Sequence, residues 1–145
     1  MELNQDFREF IELLNVHKVE YLVVGGYAVG YHGRPRYTGD IDFWVAISKE
    51  NALNILQVLN SFGFESVGLK EEDFLKEDLI VQLGYEPCRI DILTSIAGVG
   101  FKECYERKIV ANLEGLIVNF IHINDLKENK LKTGRSKDLG DIENL

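Results

Sequence analysis

The chain has 145 residues, 46% of them hydrophobic and 28% charged, and this composition predicts one folded domain spanning residues 1–145. Sixteen basic residues against twenty-four acidic ones give a formal charge of −8, the wrong sign for a protein that wraps a long nucleic-acid backbone. No apolar run approaches the ~18 residues that span a bilayer, and the polar N-terminus is unlike a signal peptide, so we expect a cytoplasmic protein without a membrane partner.

The first half of the chain predicts alternating helices and strands. Apolar residues on one helical face predict an amphipathic helix over "DFREFIELLNVH". The short apolar run "EYLVVGG" predicts a buried strand that ends at two glycines, and "YAVGYHG" follows as a short helix opening at those glycines. A second strand is predicted over "DIDFWVAI", and Ser48 then caps a helix over "KENALNILQVLNSFG" that ends at Gly63.

The second half predicts strands followed by helices. Strands are predicted over "LIVQL" and "CRIDIL", and "KIVANLEGLIVNFIH" fits two short strands of a hairpin or meander. The polar segment "INDLKENKLKTGRSKDLGDIENL" predicts two short C-terminal helices, with Asn124 as the first cap and Gly134 as the break. This order of elements predicts an α/β or α+β fold, with a mixed central sheet flanked by helices.

The two cysteines and three histidines suggest no metal site of their own. Cys88 and Cys104 lack metal-ligand spacing and are too few for a disulfide framework, which favours reduced thiols. His17, His32 and His122 share no ligand spacing either, so we interpret them as structural or surface residues.

The glycine pair Gly25-Gly26 opens the stretch "GGYAVGYHGRPRYTGDIDFW". The stretch lacks the G-x-G-x-x-G order of a dinucleotide site, and Gly30 is followed by Tyr31 and His32 where a P-loop needs Lys and Ser/Thr. What remains is a strand ending in two glycines at a helix start, where phosphate oxygens can approach backbone N–H groups. An ordinary tight turn is the commoner structure for such a pair.

Three aspartates provide the stronger signal. Asp40 and Asp42 are two residues apart on a predicted strand, so their side chains lie on one face while Ile41 points into the core. Two carboxylates that close repel each other, and Mg²⁺ relieves the repulsion. If the strand of Asp91 is their neighbour, three carboxylates converge and can hold one or two metals ~3.5–4 Å apart. The alternative for each aspartate is a turn or a solvated strand edge.

Arg34, Arg36 and Thr38 lie between the glycines and the first two aspartates. In an extended segment, which Pro35 favours at Arg34, both guanidinium groups point in a common direction. They either bind phosphate oxygens or pair with the aspartates.

The combined motifs resemble a known superfamily. The order strand, Gly-Gly, short helix, "RPRYTGDIDFWV" and later "RIDIL" resembles the nucleotidyltransferase superfamily typified by DNA polymerase beta. Together with "NDLKENKLKTGRSKDLGDIENL", it resembles the small stand-alone bacterial and archaeal members associated with abortive-infection and toxin–antitoxin loci. The resemblance covers residues 13–145 and is weakest over 64–82. It implies the nucleotidyltransferase fold.

The resemblance also implies roles for individual residues. The glycine pair of the family corresponds to Gly25 and Gly26, its first two metal ligands to Asp40 and Asp42, and its third carboxylate to Asp91. The implied activity is Mg²⁺-dependent transfer of a nucleoside monophosphate from an NTP to a hydroxyl of a protein, RNA or small molecule. Two metals would bind the triphosphate, and the third carboxylate would help to deprotonate the hydroxyl.

The C-terminal segment "KLKTGRSKDLGD" concentrates basic residues in an acidic chain. One interpretation is that Lys130 or Arg135 contacts the triphosphate while Asp138 orders the basic side chains. The other is a solvated helix end.

Two further functions stay open at this stage. The first is a non-catalytic module that binds nucleotide or a helical partner protein, as in a toxin–antitoxin pair; a small fold without a separate acceptor domain favours it. The second is a metal-dependent phosphatase or nuclease. Whether the chain forms a homo-oligomer is left open.

Overall fold

The computed structural model describes residues 3–34, 39–64, 68–85, 87–143 and 145. Within these ranges, six α-helices and six strands form a mixed α+β fold, which confirms the expected fold class at this level. The elements in chain order are α1 Gln5–Val16, β1 Tyr21–Val24, α2 Gly25–His32, β2 Asp40–Val45, α3 Lys49–Phe62, a 3-10 helix Glu71–Leu75, β3 Ile80–Leu83, β4 Arg89–Leu93, α4 Phe101–Glu106, β5 Ile109–Leu113, β6 Leu116–Phe120, α5 Ile123–Thr133 and α6 Ser136–Glu143.

All six strands belong to one mixed sheet with the order β3-β4-β2-β1-β6-β5. Strand β2 runs antiparallel to β1 and parallel to β4, and β1 is parallel to β6. The register places Asp42 opposite Val24 on one side and opposite Asp91 on the other. The condition set by the sequence, that the strand of Asp91 neighbours the strand of Asp40 and Asp42, is therefore met.

The alternation of β2 separates the core from the polar side of the sheet. Ile41 and Phe43 are fully or almost fully buried, and the Phe43 ring packs against Phe10 of α1 with centroids 5.4 Å apart. The intervening aspartates, Asp40 and Asp42, point to the opposite side because successive strand residues alternate. Helices α1 and α3 contact each other through the Phe10 and Phe62 rings, so this helical layer buries one face of the sheet.

The residues at the helix ends agree with the predicted caps of α3, whereas the predicted cap of α5 is wrong. The Ser48 side chain accepts a hydrogen bond from the Asn51 amide, and Gly63 ends α3 at a φ of 96°, as predicted. The prediction of Asn124 as the cap of α5 is wrong. The cap is His122, whose Nδ1 accepts a hydrogen bond of 3.0 Å from the Asn124 amide, because the helix begins one residue earlier than the cap residue we predicted. Gly134 separates α5 from α6, as predicted.

The cysteines and the helix lengths bear on two other expectations. Cys88 and Cys104 are both free thiols. Burial raises the pKa of the Cys104 thiol to about 11, which makes it a poor nucleophile. In the part of the chain that the structure describes, no helix combines the length and the apolar character needed to cross a bilayer.

Candidate metal centre

Asp40, Asp42 and Asp91 converge on one side of the sheet and form what we call the carboxylate cluster. Each contributes one carboxylate oxygen to a group in which all three oxygens lie within 4.8 Å of one another. The parallel pairing of β2 and β4 causes this convergence, because it sets Asp42 directly opposite Asp91. Three hard oxygen ligands at such spacing suit Mg²⁺, which binds carboxylates at ~2.0–2.1 Å.

The carboxylate cluster is largely withdrawn from water. Asp91 is 5% exposed, whereas the side chain of Asp40 is 25% exposed, so the cluster opens to solvent on the Asp40 side. Burial, the charge of Asp40 and the contact with Asp91 together raise the pKa of Asp42 to about 8. Burial also raises the pKa of Asp91, although hydrogen bonds from Arg89 oppose this. A cation among these groups would favour their ionised forms.

Gly25 lies directly against the carboxylate cluster. It follows Val24, the register partner of Asp42, and it adopts a φ of 67°, which favours glycine. A Cβ atom at this position would overlap Asp42 Oδ2 and lie 3.1 Å from Asp42 Cγ. Both the backbone conformation and the close approach therefore require a glycine here.

The start of α2 consequently lies beside Asp42. The helix begins at Gly25, and its cap residue Val24 makes no side-chain hydrogen bond to the first turn. The first N–H groups of any helix lack intrahelical partners and carry the positive end of the helix dipole. The two predicted elements of the site, the glycine pair and the aspartates, are thus neighbours in the fold.

Arg89 is a member of the site that the sequence interpretation missed. Its Nε and Nη2 atoms donate to the two oxygens of Asp91 at 2.9 and 3.1 Å, and Nη2 also donates to Asp40 Oδ2 at 3.3 Å. The signal was present in "RIDIL", because a residue two positions before Asp91 on a strand shares its face. The Arg89 guanidinium group therefore pairs with two of the three carboxylates, Asp40 and Asp91.

No contact of the predicted phosphate-binding residues Arg34, Arg36 and Thr38 with the carboxylate cluster is established among the described residues. Arg34 is exposed at the end of α2. Arg36 and Thr38 lie outside the described residues. The hypothesis that this segment binds phosphate stays a prediction.

The basic residues of the C-terminal segment form a second group, which we call the C-terminal ion cluster: Lys130, Arg135, Asp138 and Asp141. Lys130 Nζ lies 3.1 Å from Asp138 and 3.3 Å from Asp141, and Lys130 is only 5% exposed. Arg135 Nε donates to Asp138 at 2.6 Å, and the Thr133 hydroxyl donates to the same carboxylate at 2.7 Å. Asp138 therefore holds both basic side chains, and Lys130 does not lie on a solvated helix end.

This arrangement bears on the predicted triphosphate contact. The side chain of Lys130 is committed to two buried carboxylates, whereas that of Arg135 is 69% exposed. A contact from either residue to a triphosphate stays a prediction, and in the structure both side chains pair with Asp138.

The chain matches no protein-family model and no curated protein. The motifs alone therefore carry the resemblance to the nucleotidyltransferase superfamily, and the carboxylate cluster is the structural feature from which a function can be inferred.

Proposed function

We propose that the chain is a Mg²⁺-dependent nucleotidyltransferase that transfers a nucleoside monophosphate from an NTP to a hydroxyl group. The observation that carries the proposal is the convergence of Asp40, Asp42 and Asp91 within 4.8 Å, beside the start of α2. The mixed sheet and its flanking helices are compatible with the nucleotidyltransferase fold that the sequence resemblance implies.

The residues would divide the work as follows. Asp40 and Asp42 would hold the metals, and Asp91 would help to hold the second of them. When bound, Mg²⁺ supplies positive charge that stabilises the phosphoryl oxygens and the leaving pyrophosphate. The backbone N–H groups at Gly25 and Gly26 would face the phosphates, and the glycine at position 25 leaves room for the carboxylate of Asp42 beside them.

The proposed reaction is an in-line displacement at the α-phosphorus of the NTP. The acceptor oxygen attacks the α-phosphorus, the bond from that phosphorus to the bridging oxygen breaks, and pyrophosphate leaves with the electron pair. Asp91 accepts the proton of the attacking hydroxyl.

The test is a transfer assay with α-labelled NTPs and Mg²⁺, offering the protein itself, RNA and small hydroxyl compounds as acceptors. We expect wild-type protein to release pyrophosphate and label an acceptor, and Asp42→Asn to reduce the rate at least ~100-fold because one metal ligand is lost. Asp6→Asn is the matched control, since Asp6 is exposed in the first turn of α1. Equal rates for wild type and Asp42→Asn would contradict the proposal.

Two other outcomes would select the competing functions. Release of inorganic phosphate or cleaved nucleic acid in place of pyrophosphate would identify a phosphatase or nuclease. Calorimetry that detects NTP binding without turnover would identify a nucleotide-binding module, which acts through a partner protein.

A further inference from the structure

Arg89 occupies a position that the proposed chemistry leaves unexplained. It is the first residue of β4, its register partner is Asp40, and it precedes Asp91 by two residues on the same face. The guanidinium group contacts both oxygens of Asp91 and one oxygen of Asp40. Two of the three carboxylates therefore already have a cation bound to them.

This cation and a metal ion compete for the same groups. A divalent cation in the carboxylate cluster needs an oxygen of Asp91, and both of those oxygens accept hydrogen bonds from Arg89. Two positive charges a few ångströms apart in a partly buried site also repel each other. Each oxygen keeps a further lone pair, so a metal can bind beside Arg89, but the charge of the metal weakens the pairing of Arg89 with these carboxylates.

Arg89 lies on the solvent-facing side of the carboxylate cluster and has the chemistry to bind a substrate. Its side chain is 27% exposed beside Asp40, whose side chain is 25% exposed, so a phosphate group can reach it from solvent. A guanidinium group binds phosphate with the same two-pronged geometry that it uses here for a carboxylate. An NTP brought in with the metal offers such phosphates at this place.

We propose that Arg89 is the internal counter-cation of the carboxylate cluster and that metal binding releases it to the phosphates of the nucleotide. Arg89 thereby weakens metal binding in the absence of nucleotide and strengthens nucleotide binding once the metal is present. The inference rests on the proposed function for the identity of the nucleotide, but its effect on the metal requires no turnover.

The experiment measures Mn²⁺ binding from the electron paramagnetic resonance signal of the free ion, in wild type, Arg89→Gln and Arg89→Lys. Without nucleotide, we expect Arg89→Gln to bind Mn²⁺ about tenfold more tightly, because a competing positive charge is gone. With Mn²⁺ saturating, we expect its affinity for α,β-methylene NTP analogues to fall about 10- to 100-fold. A residue that only holds the fold would not tighten metal binding when it is removed.

Arg107→Gln is the matched control. Arg107 also forms a two-pronged pair with a carboxylate: its Nε and Nη2 atoms donate to Asp125 at 3.0 and 2.9 Å. Arg107 follows the end of α4 and Asp125 lies in α5, so neither belongs to the carboxylate cluster. We expect its removal to leave both affinities unchanged. If Arg89→Gln does not fold, Arg89→Lys still tests the proposal: it keeps the charge, so Mn²⁺ affinity should stay within about twofold while nucleotide affinity falls.

The outcomes separate the inference from the proposed function. Unchanged or weaker Mn²⁺ binding in folded Arg89→Gln would overturn the inference, as would unchanged nucleotide affinity in Arg89→Lys, and the transfer assay could still succeed. Wild-type protein that binds Mn²⁺ and nucleotide but transfers nothing would end the proposed function, while the Mn²⁺ comparison would still decide the role of Arg89.

Discussion

The carboxylate cluster and the C-terminal ion cluster both combine aspartates with basic side chains, but they differ in how far the positive charge offsets the negative charge. In the C-terminal ion cluster, two basic side chains face two carboxylates. Although burial raises the pKa of Asp138, hydrogen bonds from Arg135, Thr133 and Lys130 hold it well below its usual range. In the carboxylate cluster, among the residues that the structure describes, the Arg89 guanidinium group contacts two of the three carboxylates, and burial with repulsion raises the pKa of Asp42 to about 8.

The difference separates a structural role from a ligand-binding role. A buried charge that is fully paired needs nothing further, and removing its partner destabilises the fold. Asp42, whose pKa is raised by burial and by the neighbouring carboxylates, is unfavourable in its ionised form in the folded chain and becomes favourable when a cation arrives. Groups with such perturbed pKa values are typical of functional sites. We therefore expect mutations in the two clusters to change stability in opposite directions.

The largest effect is expected in the C-terminal ion cluster. Asp138→Ala removes the carboxylate shared by Lys130 and Arg135, and it leaves the buried Lys130 ammonium with Asp141 as its remaining partner. We expect a loss of about 3–5 kcal/mol in the free energy of unfolding, measured by urea denaturation at pH 7. Asp6→Ala, at an exposed position of α1, should change it by no more than about 0.5 kcal/mol.

The pH dependence supplies a second check on the same residue. Because the folded state lowers the pKa of Asp138, its contribution to stability is present above the unfolded pKa of ~3.9 and is lost as the pH falls further. Wild type should therefore lose its advantage over Asp138→Ala in acid. A loss of less than about 1 kcal/mol at pH 7 would mean that the C-terminal ion cluster does not hold α5 and α6 together.

The second prediction reverses the sign in the carboxylate cluster. The raised pKa of Asp42 means that the folded state favours the protonated carboxyl, so the contribution of Asp42 to stability is fully present below the unfolded pKa of ~3.9 and is lost as the pH rises towards 8. Asp42→Asn is neutral at every pH. With chelator present, we expect it to be more stable than wild type by about 1–3 kcal/mol at pH 8, and the gap should shrink towards pH 4.

Thermal unfolding with and without metal completes this test. Added Mg²⁺ should raise the melting temperature of wild type at pH 8 and leave Asp42→Asn unchanged, because a ligand that binds only the folded state stabilises it. Parallel stability curves for the two proteins across this pH range would contradict the imbalance that distinguishes the carboxylate cluster.

Much of the fold could be predicted because its signals are local. The apolar spacing of α1 and α3, the Ser48 cap and the left-handed Gly63 are properties of adjacent residues, and the structure agrees with each. Helix α4 and the 3-10 helix escaped prediction because elements of six and five residues are too short to show a period. The cap of α5 was missed because a histidine, rather than the predicted asparagine, accepts the hydrogen bond.

The residues of the site could be predicted from the sequence, but the pairing of β2 with β4 that brings them together could not. The spacing of Asp40 and Asp42 places them on one face of any strand, but no local pattern shows that β4 lies beside β2. The same holds for Lys130, whose burial depends on how α6 folds back across Gly134 onto α5. Arg89 could have been predicted, because it lies two residues before Asp91 on the predicted strand and alternate strand residues share a face.

The smallest effect is expected at Gly25, where the fold and the carboxylate cluster touch. Gly25→Ala and Gly63→Ala both force alanine into a positive φ, of 67° and 96°, so both should lose about 1–2 kcal/mol of stability. Of the residues that the structure describes, none lies within 4 Å of an added Cβ at Gly63, whereas at Gly25 the added Cβ overlaps Asp42 Oδ2. Only Gly25→Ala should therefore displace that carboxylate.

Mn²⁺ binding distinguishes the two variants. We expect Gly25→Ala to weaken it about tenfold, because Asp42 must rotate away from the other carboxylates, and Gly63→Ala to leave it at the wild-type value. If both variants bind Mn²⁺ as wild type does, the cluster tolerates a displaced Asp42 and its geometry is set by β2 and β4 alone. If both lose binding equally, general destabilisation is the cause, and the close packing of Gly25 against Asp42 has no separate role in holding the metal ligands.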